Sequence, residues 1–324
     1  EQGAWVQFAR GGAESHVLAQ LSQKNNLPSQ LTSFIGRKKE LTQIKNALSK
    51  YRLVTLTGAG GVGKSRLSLQ VAADLVETFS DGIWFIELAA LSDPTLIPQT
   101  LQNTLGLVEQ KDTATLQVLQ EYLREKKVLL ILDNCEHLVE ACATLAFDLL
   151  KQTTHLKILA SSREALNVQG EFSWRVPSLS VPSADRITEA GSLSRYEAVK
   201  LFIERARLID PKFKLDETNA SFVAQICSRL DGIPLAIELA AARLKTLSVE
   251  QILARLADRF SLLTNGARSL PSRHQTLKAT IEWSYNSLSE KEKIVFRRLA
   301  VFIGGWSLEA AETICSGNEI EREE

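Results

Sequence analysis

The 324-residue chain has no methionine, only four cysteines and no net charge, its 38 Lys and Arg balancing 38 Asp and Glu. Each shortage excludes something. A neutral chain has no overall field to hold it on DNA, RNA or an anionic membrane, so any nucleic-acid role belongs to a part outside these residues. Cys135, Cys142, Cys227 and Cys315 show neither a Cys-x-x-Cys pair nor Cys/His ligand spacing. That argues against a disulfide framework or a zinc site and for packing thiols in a reducing compartment. No apolar run approaches the roughly eighteen residues of a membrane span, and the first residues lack the basic-then-apolar layout of a secretory leader. The chain therefore reads as cytoplasmic, with no membrane partner. The absent methionine, the start at Glu1 and the charged run Glu319 to Glu324 read as a piece of a longer protein.

What is present is an ordinary globular composition, 44% apolar and 23% charged, with length for two or three domains. The stretch that organises it is Gly58-Ala59-Gly60-Gly61-Val62-Gly63-Lys64-Ser65. Leu53 to Thr57 before it is apolar and β-branched, as a buried strand requires, and Arg66 to Phe79 after it carries apolar residues at helical spacing. A triphosphate demands many donors, no obstructing side chains and fixed positive charge. Glycines at 58, 60, 61 and 63 let backbone N–H groups turn inward, the helix offers its positive end, Lys64 reaches the terminal phosphates and Ser65 ligates Mg²⁺. The competing reading is a glycine-rich turn beside a lysine.

Downstream, apolar runs alternate with helical patterns: Ile83 to Leu88, then a helix opened by Asp93-Pro94; Val128 to Leu132, then a helix from Glu136 to Leu150; Leu156 to Ala160; and Phe172 to Val176. Such alternation predicts an α/β fold, a P-loop parallel sheet with helices on both faces. Residues 1–26 read as a linker or upstream tail with a short helical stretch at Glu14 to Leu21, and 27–182 as the nucleotide domain. Beyond the boundary at Pro177 to Pro182 the strand signal ends. Capping boxes at Ser194–Glu197, Ser248–Gln251 and Ser289–Glu292 start helices, and Pro234 opens another. This gives a helical domain over 183–263 and a further partial domain over 264–324.

Asp133 closes the strand Val128 to Leu132. In a P-loop fold a strand-end carboxylate holds Mg²⁺, although it equally serves to cap a helix. Asn134 follows and cannot take a proton. Glu136 is the nearest acid, either a partner for the attacking water or a favourable charge at a helix start. Arg163, past the strand Leu156 to Ala160, is placed to read a γ-phosphate or to pair with Glu164 or Glu171. Lys64, Asp133, Glu136 and Arg163 are thus the candidate catalytic residues, and Ser65 and Asp133 the metal ligands.

These segments together resemble the nucleotide-binding core of the STAND ATPases, the NB-ARC or AP-ATPase group, and most closely bacterial LuxR-type ATPase regulators. The matching residues are Leu27-Pro28, Leu31 to Arg37, the phosphate loop, Leu132 to His137, Ala160 to Glu164, Gly232 to Ala236 and Trp283-Ser284-Tyr285. The resemblance implies that Ile35, Gly36 and Arg37 pack on adenine, that Pro234 closes over the base, and that Arg163 is a sensor. The implied cofactor-binding set is Ile35, Gly36, Arg37, Gly58, Gly60, Gly61, Val62, Gly63, Lys64, Ser65, Arg66 and Pro234. It also implies a winged-helix start over Gln275 to Cys315, with His274 a surface residue ahead of it. The cofactors would be ATP or ADP with Mg²⁺, in a slow regulatory switch that self-associates in its ATP state. DNA would be reached only through an output domain elsewhere. A constitutive ATPase, a nucleotide-stabilised scaffold and a small-molecule kinase are the rivals. The absence of an Asn-Lys-x-Asp run favours adenine over guanine.

Overall fold

A computed structural model describes residues 24–110, 113–182, 190–256, 285, 288–302, 306–317 and 320. In chain order, α1 (Lys38–Lys50) leads into β1 (Leu53–Thr57) and α2 (Lys64–Leu75); β2 (Gly82–Glu87) is followed by α3 (Ile97–Thr104) and α4 (Thr115–Leu123). Next come β3 (Val128–Asp133), α5 (Val139–Gln152), β4 (Lys157–Ser161) and β5 (Glu171–Arg175). The rest is helical: α6 (Ala190–Leu193), α7 (Glu197–Ile209), α8 (Ala220–Arg229), α9 (Pro234–Ala242), α10 (Val249–Arg255), α11 (Glu290–Leu299) and α12 (Leu308–Cys315).

The five strands form one sheet in the order β2-β3-β4-β1-β5, every pairing parallel. Parallel strands need crossovers, which lay helices on both faces, so central strands become apolar without alternation. Every residue of β1 and β3 is buried. Leu130 and Leu132 pack one way, with Ile97, Leu101, Leu119 and Leu145 from α3, α4 and α5. Leu129 and Ile131 pack the other way, with Ile44 and Leu48 of α1 and Leu67 and Val71 of α2. A third core lies in the helical part around Phe202, Val223, Ile237 and Ile252.

The α/β fold expected from sequence is the one observed. Local details differ. The helix expected from Glu136 begins at Val139 instead: Asn134 is left-handed (φ 69°, ψ 51°), Cys135–His137 form a 3₁₀ turn, and Leu138 is non-helical. The capping box at Ser194 to Glu197 does not form. Tyr196 precedes α7 without a side-chain cap, and Ser180 Oγ accepts the Glu197 N–H from across the turn at 3.0 Å. The boxes at Ser248 and Ser289 are both made. Asp93 caps a 3₁₀ turn, Pro94–Leu96, just ahead of α3. The stretch Glu14 to Leu21, His274 and Trp283-Ser284 lie outside the described residues.

Phe202 is fully buried at the centre of the helical core. Phe202→Ala is expected to cost about 3–5 kcal/mol. Because that core is separate from the two on the sheet, hydrogen exchange should quicken in α7 and α9 while the amides of β1 and β3 keep their protection.

Candidate functional site

In an open parallel sheet, ligands sit beyond the carboxyl ends of the strands where connections depart in opposite directions. Here β1 leads away toward β2 while its neighbour β4 leads to β5 on the opposite side. The glycine loop follows β1 and Ser161-Ser162-Arg163 close β4, so both flank this point. Gly58, Gly61 and Gly63 all have positive φ (144°, 78° and 94°). Among the described residues Val62 N–H reaches Ala59 O at 3.4 Å, whereas Gly60, Gly61 and Gly63 make no backbone bond through their N–H groups. Such a ring of outward donors at the start of α2 is an anion cradle. Ser65 is half-buried in the first turn of α2.

Lys64 is almost wholly buried, its ammonium donating to Gly58 O (2.7 Å) and Ala59 O (3.3 Å). Burial lowers its pKa; Glu136 and Asp133 act to raise it and Arg163 to lower it. The four candidate catalytic residues are therefore electrostatic neighbours. Asp133, 4% exposed, accepts from Ser161 Oγ, and the same oxygen accepts the Asn134 N–H at 3.0 Å. Among the described residues Arg163 pairs with Glu136 (Nε to Oε1, 3.6 Å), while Glu171 accepts the N–H groups of Leu166 and Val168. Burial lowers the Arg163 pKa against the pull of Glu136. Among the described residues, Glu136 Oε2, Asn134 Nδ2 and Ser162 Oγ are buried with no hydrogen-bond partner. Unmatched buried polar atoms are costly, and all three belong to the chain just beyond the ends of β3 and β4.

The helical part closes the other side. Pro234 opens α9, and Leu235 N–H donates to Gly61 O at 3.2 Å. A Cβ on Gly61 would meet the Leu235 side chain at 3.0 Å, and one on Gly63 would lie 3.8 Å from Pro234 Cγ. Ile35, Arg37, Gly63, Arg66, Pro234 and Glu238 line a common pocket with Phe34 and Leu201. Arg37 is buried, with Nη2 donating to Val62 O (2.6 Å) and Pro177 O (3.0 Å). Gly36 sits against Glu197. Arg66, expected among the cofactor-binding residues, turns its guanidinium to Thr32 and Ser33 O and lies 3.9 Å from Glu238, which also pairs with Arg205 at 2.9 Å. It forms pocket wall. The sequence gives no site role to Ser161, Glu197, Arg205 or Glu238, and reads Glu197 only as a helix cap, because each acts through partners far away in the chain.

The residues from 47 to 168 match the family model described as an AAA domain. Over 299 residues the chain is 42% identical to a Mycobacterium tuberculosis protein named uncharacterized protein Rv0894, spanning 92% of this chain and 73% of that one. The two belong to one family. A second M. tuberculosis relative, Rv0890c, provisionally named an HTH-type transcriptional regulator, is 42% identical over 274 residues, covering 85% of this chain and 29% of its own length. Among solved structures, the Walker-type ATPase of Pyrococcus abyssi superposes with a TM-score of 0.54 at 15% identity, over 91% of this chain and 88% of that one. The α/β part of this chain has the P-loop NTPase fold and is similar to the AAA domain. Among the described residues, no helix is long and apolar enough to cross a membrane.

The hydroxyl of Ser161 serves two buried groups, so Ser161→Ala removes one hydrogen bond from the Asp133 carboxylate and one from the Asn134 amide. The expected loss is about 1–3 kcal/mol, measured as a shift in the denaturant midpoint; Ser161→Thr, which keeps the hydroxyl, should recover most of it.

Proposed function

We propose that this chain is the nucleotide-operated switch of a larger regulator, in which ADP held between the α/β and helical parts keeps a closed monomer. The observation that carries this reading is the seat of α9 on the phosphate loop, through Leu235 N–H to Gly61 O. One ligand at that loop touches two bodies, and so biases how they sit. In this reading 27–182 bind nucleotide, 183–263 form the helical lid, and 264–324 begin a winged-helix domain, as in STAND and LuxR-type ATPases.

The loop amides and Lys64 hold the phosphate end, with Ser65 and Asp133 as the Mg²⁺ ligands, while Arg66 braces the pocket wall. Ile35, Gly36, Arg37 and Pro234 hold the base. Magnesium nucleotide, when bound, supplies a cleavable phosphoanhydride and a γ-phosphate that distinguishes two states. An added anion beside Lys64 competes with Glu136 for Arg163, which makes that guanidinium the sensor. With Asn134 unable to take a proton, hydrolysis is slow and serves to reset the switch. The ATP state self-associates, and the readout on DNA lies in an output domain elsewhere in the longer protein, as the name of the relative Rv0890c suggests. The compartment is the cytoplasm.

Nucleotide released by denaturing freshly purified protein should elute as ADP, and Lys64→Ala should carry none while remaining folded. An empty wild-type site that turns over added ATP steadily would overturn the switch. That second outcome has one observation in its favour, the buried and unpartnered Oε2 of Glu136, a candidate base. Glu136→Gln separates the two: steady turnover falls about a hundredfold or more if Glu136 is the base, and ADP retention is unchanged if it only holds Arg163.

A further inference from the structure

We infer that Glu197, the first residue of α7, is a positioning residue that sets how long nucleotide stays bound, by fixing the base segment and the phosphate loop through Arg37. This rests on the site being a nucleotide site. Glu197 Oε1 accepts the backbone N–H of Arg37 at 2.6 Å, across 160 positions of sequence. The contact is tight. A Cβ at Gly36 would meet that same oxygen at 2.5 Å, so the residue before Arg37 has to be glycine for the carboxylate to arrive. Gly36 and Arg37 both hold positive φ (71° and 59°), a conformation costly for arginine that persists only when surrounding contacts over-determine it.

Arg37 passes the constraint on. Its guanidinium donates to Val62 O within the phosphate loop and to Pro177 O in the segment between β5 and the helices. Glu197 is itself held from that segment, with its N–H on Ser180 Oγ and the next N–H, of Ala198, on Ser180 O at 3.1 Å. Two turns along the same helix, Arg205 donates to Ser33 O at 3.3 Å. Helix α7 thus grips the base segment at both ends, residues 33 and 37, and a carboxylate in the helical part reaches a carbonyl in the phosphate loop through one arginine. Withdrawal of α7 would free Arg37 to leave its left-handed conformation and let Val62 O go. Residence time of the nucleotide then follows the Glu197 contact, with no contact between Glu197 and the ligand required.

The test is the release rate of an ADP labelled on its ribose with a fluorescent methylanthraniloyl group, chased with unlabelled ADP and Mg²⁺, from the full chain. Glu197→Ala should release it about tenfold faster, the scale of one lost charge-assisted hydrogen bond. Glu197→Gln keeps an acceptor oxygen and should stay within about threefold of wild type. A merely structural role would lower stability without this rescue pattern in release. Release from Glu197→Ala at the wild-type rate overturns the role of Glu197 while the nucleotide site stands; fast release from Gln and Ala variants alike also overturns it, since the acceptor would not matter. A wild-type chain that binds no labelled ADP overturns the nucleotide reading and this role together.

Discussion

The backbone amide of Leu235 donating to the carbonyl of Gly61 decides the shape of everything around it. The first N–H groups of a helix have no partner within it. In α9 one of these is removed by Pro234, and Leu235 N–H is spent on the glycine loop. Two helix starts, of α2 and α9, therefore converge on one loop, and both present the positive end of a helix dipole. A Cβ on Gly61 would stand only 3.0 Å from Leu235 Cβ, so a larger residue there would press on this approach.

Around that contact the charges are arranged to hold pieces together. Arg66 of α2 and Arg205 of α7 converge on Glu238 of α9 and on the carbonyl of Ser33. Planar guanidinium groups with several donors suit such multiple carbonyl and carboxylate contacts, where a lysine would serve fewer. Burial lowers the pKa of Arg37 and of Arg66, the expected cost of moving cations out of water to brace a pocket wall.

Much of the α/β part was legible because its signals are local. Strands β1, β3 and β4 are buried and mostly apolar since helices cover both faces, and the glycine loop announces itself by spacing. The candidate residues Lys64, Asp133, Glu136 and Arg163 come together as a consequence of that sheet order. The helix α4 carries no such signal: it is short, and Ala114, the residue before it, offers no side-chain cap. The start of α5 was misplaced because nothing in Asn134 itself reveals a left-handed backbone. The box at Ser194 to Glu197 failed for a deeper reason. Its glutamate has the right spacing to cap α7, yet the carboxylate is taken by Arg37, 160 positions away; tertiary demand overrides a local preference that is worth only about 1 kcal/mol.

The place of β4 in the sheet carries one more implication. It lies between β1 and β3, and neighbouring strands are about 4.8 Å apart, so the phosphate loop and Asp133 issue from strands roughly two such steps apart. β4 is a spacer of fixed width. Its final residue, Ser161, fills the gap from the Asp133 side with a single hydroxyl. The breadth of the site is thus set by backbone hydrogen bonding, which side-chain substitution leaves untouched, and loop changes can retune its chemistry while its gauge remains constant.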